Sequence, residues 1–150
     1  MKRIFLVLIL LVVTGCAKPK SPFPIYEATD PTEGRFPIKY VFIDIPAEQR
    51  IEINFHNASK LAVCIYPNQW PTNTGRMQGE GPGMIIIVGK QRFTAEMTTP
   101  DYCPGCAYYV KPGENLRASI HYEVFHLPKA LYNSKKRLEF NPMGYHCKET

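Results

Sequence analysis

The chain has 150 residues, of which 45% are apolar and 21% charged, a size and composition that suit one globular domain and not two. The formal net charge of +5 falls to +3 if Lys2 and Arg3 leave with a cleaved leader, because 16 of the 18 basic side chains then face 13 acidic ones. So mild a charge does not favour nucleic acid as a partner, and we expect none. The tightest basic run, Lys135-Lys136-Arg137, predicts either an ordinary solvated surface or a contact for anionic lipid or polysaccharide.

The N-terminus has the three parts of an export signal. Met1-Lys2-Arg3 is a short positive segment, and residues 4–13 are an unbroken apolar run that is too short to span a bilayer as a helix. The run ends at Val13-Thr14-Gly15-Cys16, which resembles the lipobox of bacterial lipoproteins. The alternative is an ordinary secretory signal followed by a chance cysteine.

The resemblance to bacterial lipoproteins implies cleavage before Cys16, a diacylglyceryl group on its thiol and a further acyl chain on the new amino group. Two or three acyl chains anchor a protein stably, whereas one chain of myristoyl size anchors only marginally. Residue 17 is alanine. In Gram-negative family members an aspartate there tends to retain the protein in the inner membrane, so the resemblance implies the outer membrane, facing the periplasm.

Residues 16–37 form the predicted tether after a signal peptide of residues 1–15. Prolines at 19, 22, 24, 31 and 37 disfavour helix and central strand, which indicates an extended spacer. Phe23, Ile25 and Tyr26 can still dock on the domain that follows, so part of the spacer is a candidate for order.

Residues 38–147 form the predicted domain, and their pattern is that of short strands. Residues 50–56 alternate strictly, with Ile51, Ile53 and Phe55 on one face, and the run from Leu116 to Val124 alternates over nine residues. Further strands are expected at 39–45, 61–66, 84–88, 91–94, 107–110, 137–140 and 144–147, with turns at Gly89-Lys90 and Pro112-Gly113. The segment 127–133 alone has a helical pattern.

Eight or nine short strands at regular spacing predict an all-β fold, an antiparallel β-sandwich. The size and the Pro-Gly-Glu turn before a long strand resemble immunoglobulin-like domains of bacterial envelope proteins. This resemblance covers residues 38–147 and implies the architecture only, with no functional residue to carry over.

Four cysteines remain after Cys16, an even number that predicts two disulfides in an exported domain. Cys103-Pro104-Gly105-Cys106 suits a type II turn, which brings its end residues within disulfide reach. Of the three connectivities this favours Cys103–Cys106, and Cys64–Cys147 then follows by elimination. The rivals for the Cys103/Cys106 pair are a thiol–disulfide redox centre, which needs a helix N-terminus, and metal ligation.

Residues 67–83 form a long segment without a predicted element, and such loops are often functional. Trp70 and Arg76 are its candidate partner-binding residues, because Trp and Arg are the usual hot-spot types of interfaces. The alternative for Trp70 is that it folds back over the edge of the sandwich. His146 next to Cys147 is a metal candidate only if that cysteine is reduced.

No catalytic constellation stands out, and we expect no enzyme activity, no cofactor and no metal site. The sequence therefore predicts a non-enzymatic, membrane-anchored lipoprotein that binds an envelope protein or glycan. The alternatives are an inhibitor or immunity protein against a cell-wall hydrolase, and a thiol–disulfide oxidoreductase that uses Cys103 and Cys106.

Overall fold

A computed structural model describes residues 34–100 and 106–147, and the backbone of residues 25–27. These ranges contain thirteen strands and four short 3-10 helices. The strands are β1 (Ile25–Glu27), β2 (Phe36–Pro37), β3 (Tyr40–Ile45), β4 (Arg50–His56), β5 (Val63–Ile65), β6 (Met77–Gln78), β7 (Ile85–Val88), β8 (Gln91–Thr94), β9 (Met97–Thr98), β10 (Cys106–Val110), β11 (Asn115–His121), β12 (Arg137–Glu139) and β13 (Met143–His146). The 3-10 helices are Pro46–Glu48, Pro67–Gln69, Tyr122–Phe125 and Lys129–Leu131.

The strands form four sheets, and the all-β prediction is confirmed. The largest sheet has the order β1-β10-β5-β13-β2, and two three-stranded sheets have the orders β11-β4-β3 and β12-β7-β8. These three sheets are antiparallel throughout, and the short β6-β9 pair is parallel. The predicted hairpin is present, with β7 and β8 joined through Gly89 at a φ of +58°.

One hydrophobic core joins the sheets. The predicted alternation of β4 places Ile51, Ile53 and Phe55 on the buried face, and β11 pairs with β4 over its whole length with Leu116, Ala118 and Ile120 on the same side. These side chains share a cluster with residues of the other two large sheets, among them Val63, Ile65, Val110, Ile86 and Val88. The sheets are therefore packed together by apolar side chains that are buried at every second position of a strand.

Three element predictions were wrong in detail. The strand predicted through Val124 ends at His121 and continues as a 3-10 helix, and the helical pattern at 127–133 yields only the short helix Lys129–Leu131. The 3-10 helix buries the side chains of Tyr122, Val124 and Phe125. The apolar residues that predicted a longer strand are therefore buried by a helix instead. The segment 67–83, predicted to lack elements, contains the helix Pro67–Gln69 and strand β6.

Strands β1 and β2 come from the range assigned to the tether, and they pair with β10 and β13 at the two edges of the five-stranded sheet. Pro37 is tolerated in β2 because an edge strand needs no N–H donor on its open side. The predicted signal peptide, Cys16 and most of the predicted tether lie outside the described residues.

A disulfide joins the middle of the five-stranded sheet to its neighbouring strand near the end of the chain. Cys64 lies in β5 and Cys147 follows β13, with their Cα atoms 5.7 Å apart. The bridge closes a separation of 83 residues. In the chain-entropy model a loop of this length stabilises the folded state by up to about 4.6 kcal/mol.

A buried ion pair fixes the position of the segment before β12. The side chain of Lys136 is 0% exposed, and its ammonium donates to Asp44 Oδ2 at 2.9 Å and to the backbone carbonyls of Tyr132 and Ser134. It also lies 4.6 Å from the ring centroid of Tyr122. Burial, and then the hydrogen bond to Asp44, raise the pKa of the Tyr122 hydroxyl, so this donor stays protonated. Lys136 is therefore no part of a basic surface, which removes the centre of the predicted lipid or polysaccharide contact.

We expect the Cys64→Ser, Cys147→Ser variant to lose clearly more than about 2 kcal/mol of unfolding free energy and up to about 4.6 kcal/mol, because the unfolded chain regains the entropy of a long open loop. Urea denaturation followed by circular dichroism measures the loss. The Cys103→Ser, Cys106→Ser variant is the control, since opening a short loop costs only about 2 kcal/mol. Equal losses in the two variants would contradict the long-range role of the Cys64–Cys147 bridge.

Replacing Lys136 by alanine should destabilise the fold by about 3 kcal/mol, because Asp44 then loses its cation in a largely enclosed setting. Lys135→Ala is the matched control at the neighbouring exposed position and should change the unfolding free energy by less than about 0.5 kcal/mol. Thermal unfolding of both variants makes the comparison. Similar melting temperatures for the two would mean that the ion pair does not support the fold.

Candidate functional site

Trp70, the first predicted contact residue, is in the core. Its side chain is 0% exposed and packs near Tyr40 and Phe140, with ring centroids 6.5 and 6.1 Å away. A fully buried ring cannot touch a partner, so the prediction of a surface contact was wrong. Its buried position agrees with the alternative, in which Trp70 folds back over the sheets. The physical reason is that burying this large ring stabilises the domain more than exposing it on a loop.

Arg76, the second predicted contact residue, is half-exposed beside two other charged groups. Its guanidinium lies 3.5 Å from Glu96 Oε2, and the other oxygen of Glu96 lies 2.8 Å from His126 Nε2. All three side chains are more than two-fifths exposed, so solvent screens the interactions and they add little stability. The structure therefore separates the two predicted contacts, since Arg76 is at the surface and Trp70 is not.

The described part of the Cys103/Cys106 motif is Cys106, which is buried and disulfide-bonded. Cys103 lies outside the described residues, so its pairing with Cys106 stays a prediction. Cys106 is the first residue of strand β10. Redox-active cysteines are usually placed at a helix N-terminus, and the residues after this pair form a strand instead.

A pocket of about 250 Å³, the end pocket, opens at one end of the β11-β4-β3 sheet, where that sheet meets the five-stranded sheet. Its apolar walls come from both sheets and from the link between β2 and β3. These wall residues are Phe36, Pro37, Ile38, Phe55 and Val63. Ligand sites of drug size are about 300–1,000 Å³, so this pocket suits a single apolar side chain better than a whole cofactor.

The polar side of the pocket is the turn after β4. Asn57 is buried, and its Nδ2 donates to the carbonyls of Leu61 and Val110, both at 2.9 Å. Its Oδ1 accepts the backbone N–H of Ser59 at 3.0 Å and lies 2.7 Å from Ser59 Oγ. The amide is satisfied by the turn and by the Val110 carbonyl of β10, so it fixes the shape of the wall and has no hydrogen-bonding capacity left for a ligand.

His146 and Lys39 complete the lining. The His146 ring contacts Phe36 with centroids 4.8 Å apart, and its Nδ1 is buried without a hydrogen-bond partner. The next residue, Cys147, is bonded to Cys64, so the condition for the predicted metal role of His146 is not met. Lys39 is exposed. The pocket thus has an apolar interior with one cation at its rim.

Close backbone packing at Gly144 seats Ile38 at the base of the pocket. A Cβ at Gly144 would lie 2.6 Å from Ile38 Cδ1 and 3.2 Å from the carbonyl oxygen of Cys64. The backbone N–H of Ile38 donates to the Pro142 carbonyl at 2.8 Å, which ties the β2–β3 link to the start of β13. Because Gly144 has no side chain, the Ile38 side chain can pack against the sheet there, and it forms the base of the pocket without filling it.

Sequence reasoning missed this site because its residues come from distant segments. His146 was considered only as a metal candidate beside a reduced Cys147. The one local signal of the pocket was the polar turn that follows β4. It marks the point where the buried face formed by Ile51, Ile53 and Phe55 reaches the end of its sheet.

Gly144→Ala should lower the unfolding free energy by about 1–3 kcal/mol, because the added methyl overpacks against Ile38 and a backbone carbonyl. The Ile38 side chain should move into the pocket, which chemical-shift changes of its methyl groups would detect. Gly34→Ala is the control, since a Cβ there meets nothing within 4 Å. An unchanged stability and unchanged Ile38 shifts in Gly144→Ala would contradict this description of the pocket base.

No group of three or more His, Cys, Asp or Glu side chains that could hold a metal ion occurs among the described residues. The same residues include no helix with the length and apolar character to cross a membrane. Comparisons with protein-family models, with curated proteins and with solved structures found no match. The function of the pocket is therefore argued from its own geometry.

Proposed function

We propose that this chain is a non-enzymatic, membrane-anchored lipoprotein of the bacterial envelope, and that its domain binds a partner protein by receiving one apolar side chain in the end pocket. The pocket between the sheets carries the proposal. It is a concave apolar site of side-chain size at the end of a rigid framework, and such pockets are where interface hot spots are found.

The walls of the pocket are held in place before any partner arrives. The Asn57 turn is fully hydrogen-bonded, Ile38 is tied to Pro142, and the nearby strand β5 carries the Cys64–Cys147 bridge. A pre-organised site loses little conformational entropy on binding, so a small contact gains more affinity there than on a mobile loop. Trp70 supports this arrangement from the core instead of serving as the contact itself.

The membrane anchor is proposed from the lipobox-like sequence at Val13-Thr14-Gly15-Cys16, and the outer membrane from the alanine at position 17. The disulfides fit this location, since they form and persist in oxidising compartments. For the domain itself we propose an immunoglobulin-like sandwich, in which the β11-β4-β3 sheet packs across the other sheets. The antiparallel strands of its three larger sheets and the main core that these sheets share are consistent with that arrangement.

A titration with N-acetyl-L-phenylalaninamide tests the binding site, because this probe presents one apolar side chain with capped backbone groups. We expect weak binding to the full chain with a Kd of about 6–80 mM, since enclosing one aromatic side chain provides only about 1.5–3 kcal/mol. Methyl resonances of Ile38 and Val63 should shift, while those of distant residues should not. N-acetylglycinamide, which lacks the side chain, should cause no such shifts.

The Ala58→Trp variant should block the pocket, because Ala58 is an exposed residue of its rim. Ala130→Trp is the matched control at an exposed alanine that does not line the pocket. Binding of the phenylalanine probe should be lost in the first variant and kept in the second. Shifts that persist in Ala58→Trp, or that scatter over the whole domain, would refute the pocket as the binding site.

A further inference from the structure

The two edges of the β11-β4-β3 sheet differ in how they are covered. A tight turn that ends at Gly75 packs against the β11 edge, where a Cβ at Gly75 would lie only 2.4 Å from the Ser119 carbonyl oxygen. Among the residues that the structure describes, no strand pairs with the opposite edge, which is β3. Natural proteins usually cover or shorten such an edge, because its unpaired N–H and C=O groups can bind another strand.

Strand β3 has the properties of a strand that can be extended. It is six residues long, and it contains no proline, so each residue keeps its backbone donor. Its outward side chains include Val41 and Ile43, which are 59% and 45% exposed. Its inward charge, Asp44, is already neutralised by Lys136 and does not oppose pairing.

We propose that two copies of this chain pair through β3 in antiparallel fashion, with the two-fold axis at Phe42, to form a continuous six-stranded sheet. This register places Val41 of each copy opposite Ile43 of the other on the exposed face. Such β-branched cross-strand pairs stabilise antiparallel sheets, and a two-fold axis forms each favourable pair twice.

Charge complementarity supports this register. The same pairing places Lys39 of one copy opposite Ile45 of the other, which is the cross-strand neighbour of Arg50 within its own sheet. Arg50 binds Glu48 and Glu52 on that face, and Glu48 is 58% exposed. Each end of the joined strands therefore brings an exposed lysine towards a pair of carboxylates of the other copy.

Disulfide cross-linking between differently tagged copies tests the pairing. Full-length processed chains with Val41→Cys are mixed with processed chains with Ile43→Cys, in which the lipid proposed on Cys16 leaves no thiol at that position. We expect cross-linked heterodimers to form roughly tenfold faster than in a mixture of Lys90→Cys and Lys111→Cys chains, because pairing raises the effective concentration. Those control residues are both exposed and lie outside β3.

Each cysteine variant alone should cross-link only at the control rate. Identical positions 41 are diagonal neighbours about 7–8 Å apart in this register, beyond the Cα separation that a disulfide accepts. Fast cross-linking of either variant alone, or none above the control rate in the mixture, would overturn the proposal.

A substitution on the exposed face gives an independent measurement. Ile43→Lys should shift the sedimentation equilibrium of the full chain towards monomer, because it places a charge opposite Val41 of the other copy. Leu61→Lys is the matched control, since Leu61 is another exposed apolar residue, 54% accessible, that lies outside β3. Circular dichroism checks that both variants remain folded. An equal degree of association in the two variants would contradict pairing through β3.

Discussion

The disulfide between Cys64 and Cys147 is the constraint on which the rest of the structure depends. It ties the central strand of the five-stranded sheet to a residue that follows the last strand, and so holds β13 in its place between β5 and β2. β13 in turn supplies Gly144, against which Ile38 packs, and His146, which lines the pocket. A covalent bond between two residues that are far apart in sequence thus holds the walls of the end pocket, to which we assign a function.

The domain combines rigid and open features at different places. Lys136 is the one buried charged residue of the described chain, and hydrogen bonds, the partly exposed Asp44 and the Tyr122 ring satisfy its ammonium. The end pocket and the β3 edge, by contrast, leave apolar side chains accessible to other molecules. Groups of accessible apolar side chains are typical of surfaces that bind other proteins.

The sequence predicted the fold class because the strongest signals were local. Strict alternation in residues 50–56 and the glycine turn at 89 correspond directly to β4 and to the β7–β8 hairpin. The sequence left Trp70 between a partner contact and a place over the edge of the sandwich, because composition alone cannot distinguish a loop tryptophan that covers a core from one that meets a partner. Lys136 was grouped with its basic neighbours because the acceptor that buries it, Asp44, is 92 residues away in sequence. The pocket was invisible for the same reason, since its walls meet only in three dimensions.

The central claim is that a lipidated, oxidised chain displays this disulfide-braced domain in the envelope. Intact-mass spectrometry of the protein isolated from membranes of its host tests the claim most directly. The account predicts a chain that begins at Cys16, carries a diacylglyceryl group with an additional acyl chain, and has the mass deficit of two disulfides. A chain that retains residues 1–15 and has free thiols at Cys64 and Cys147 would contradict it.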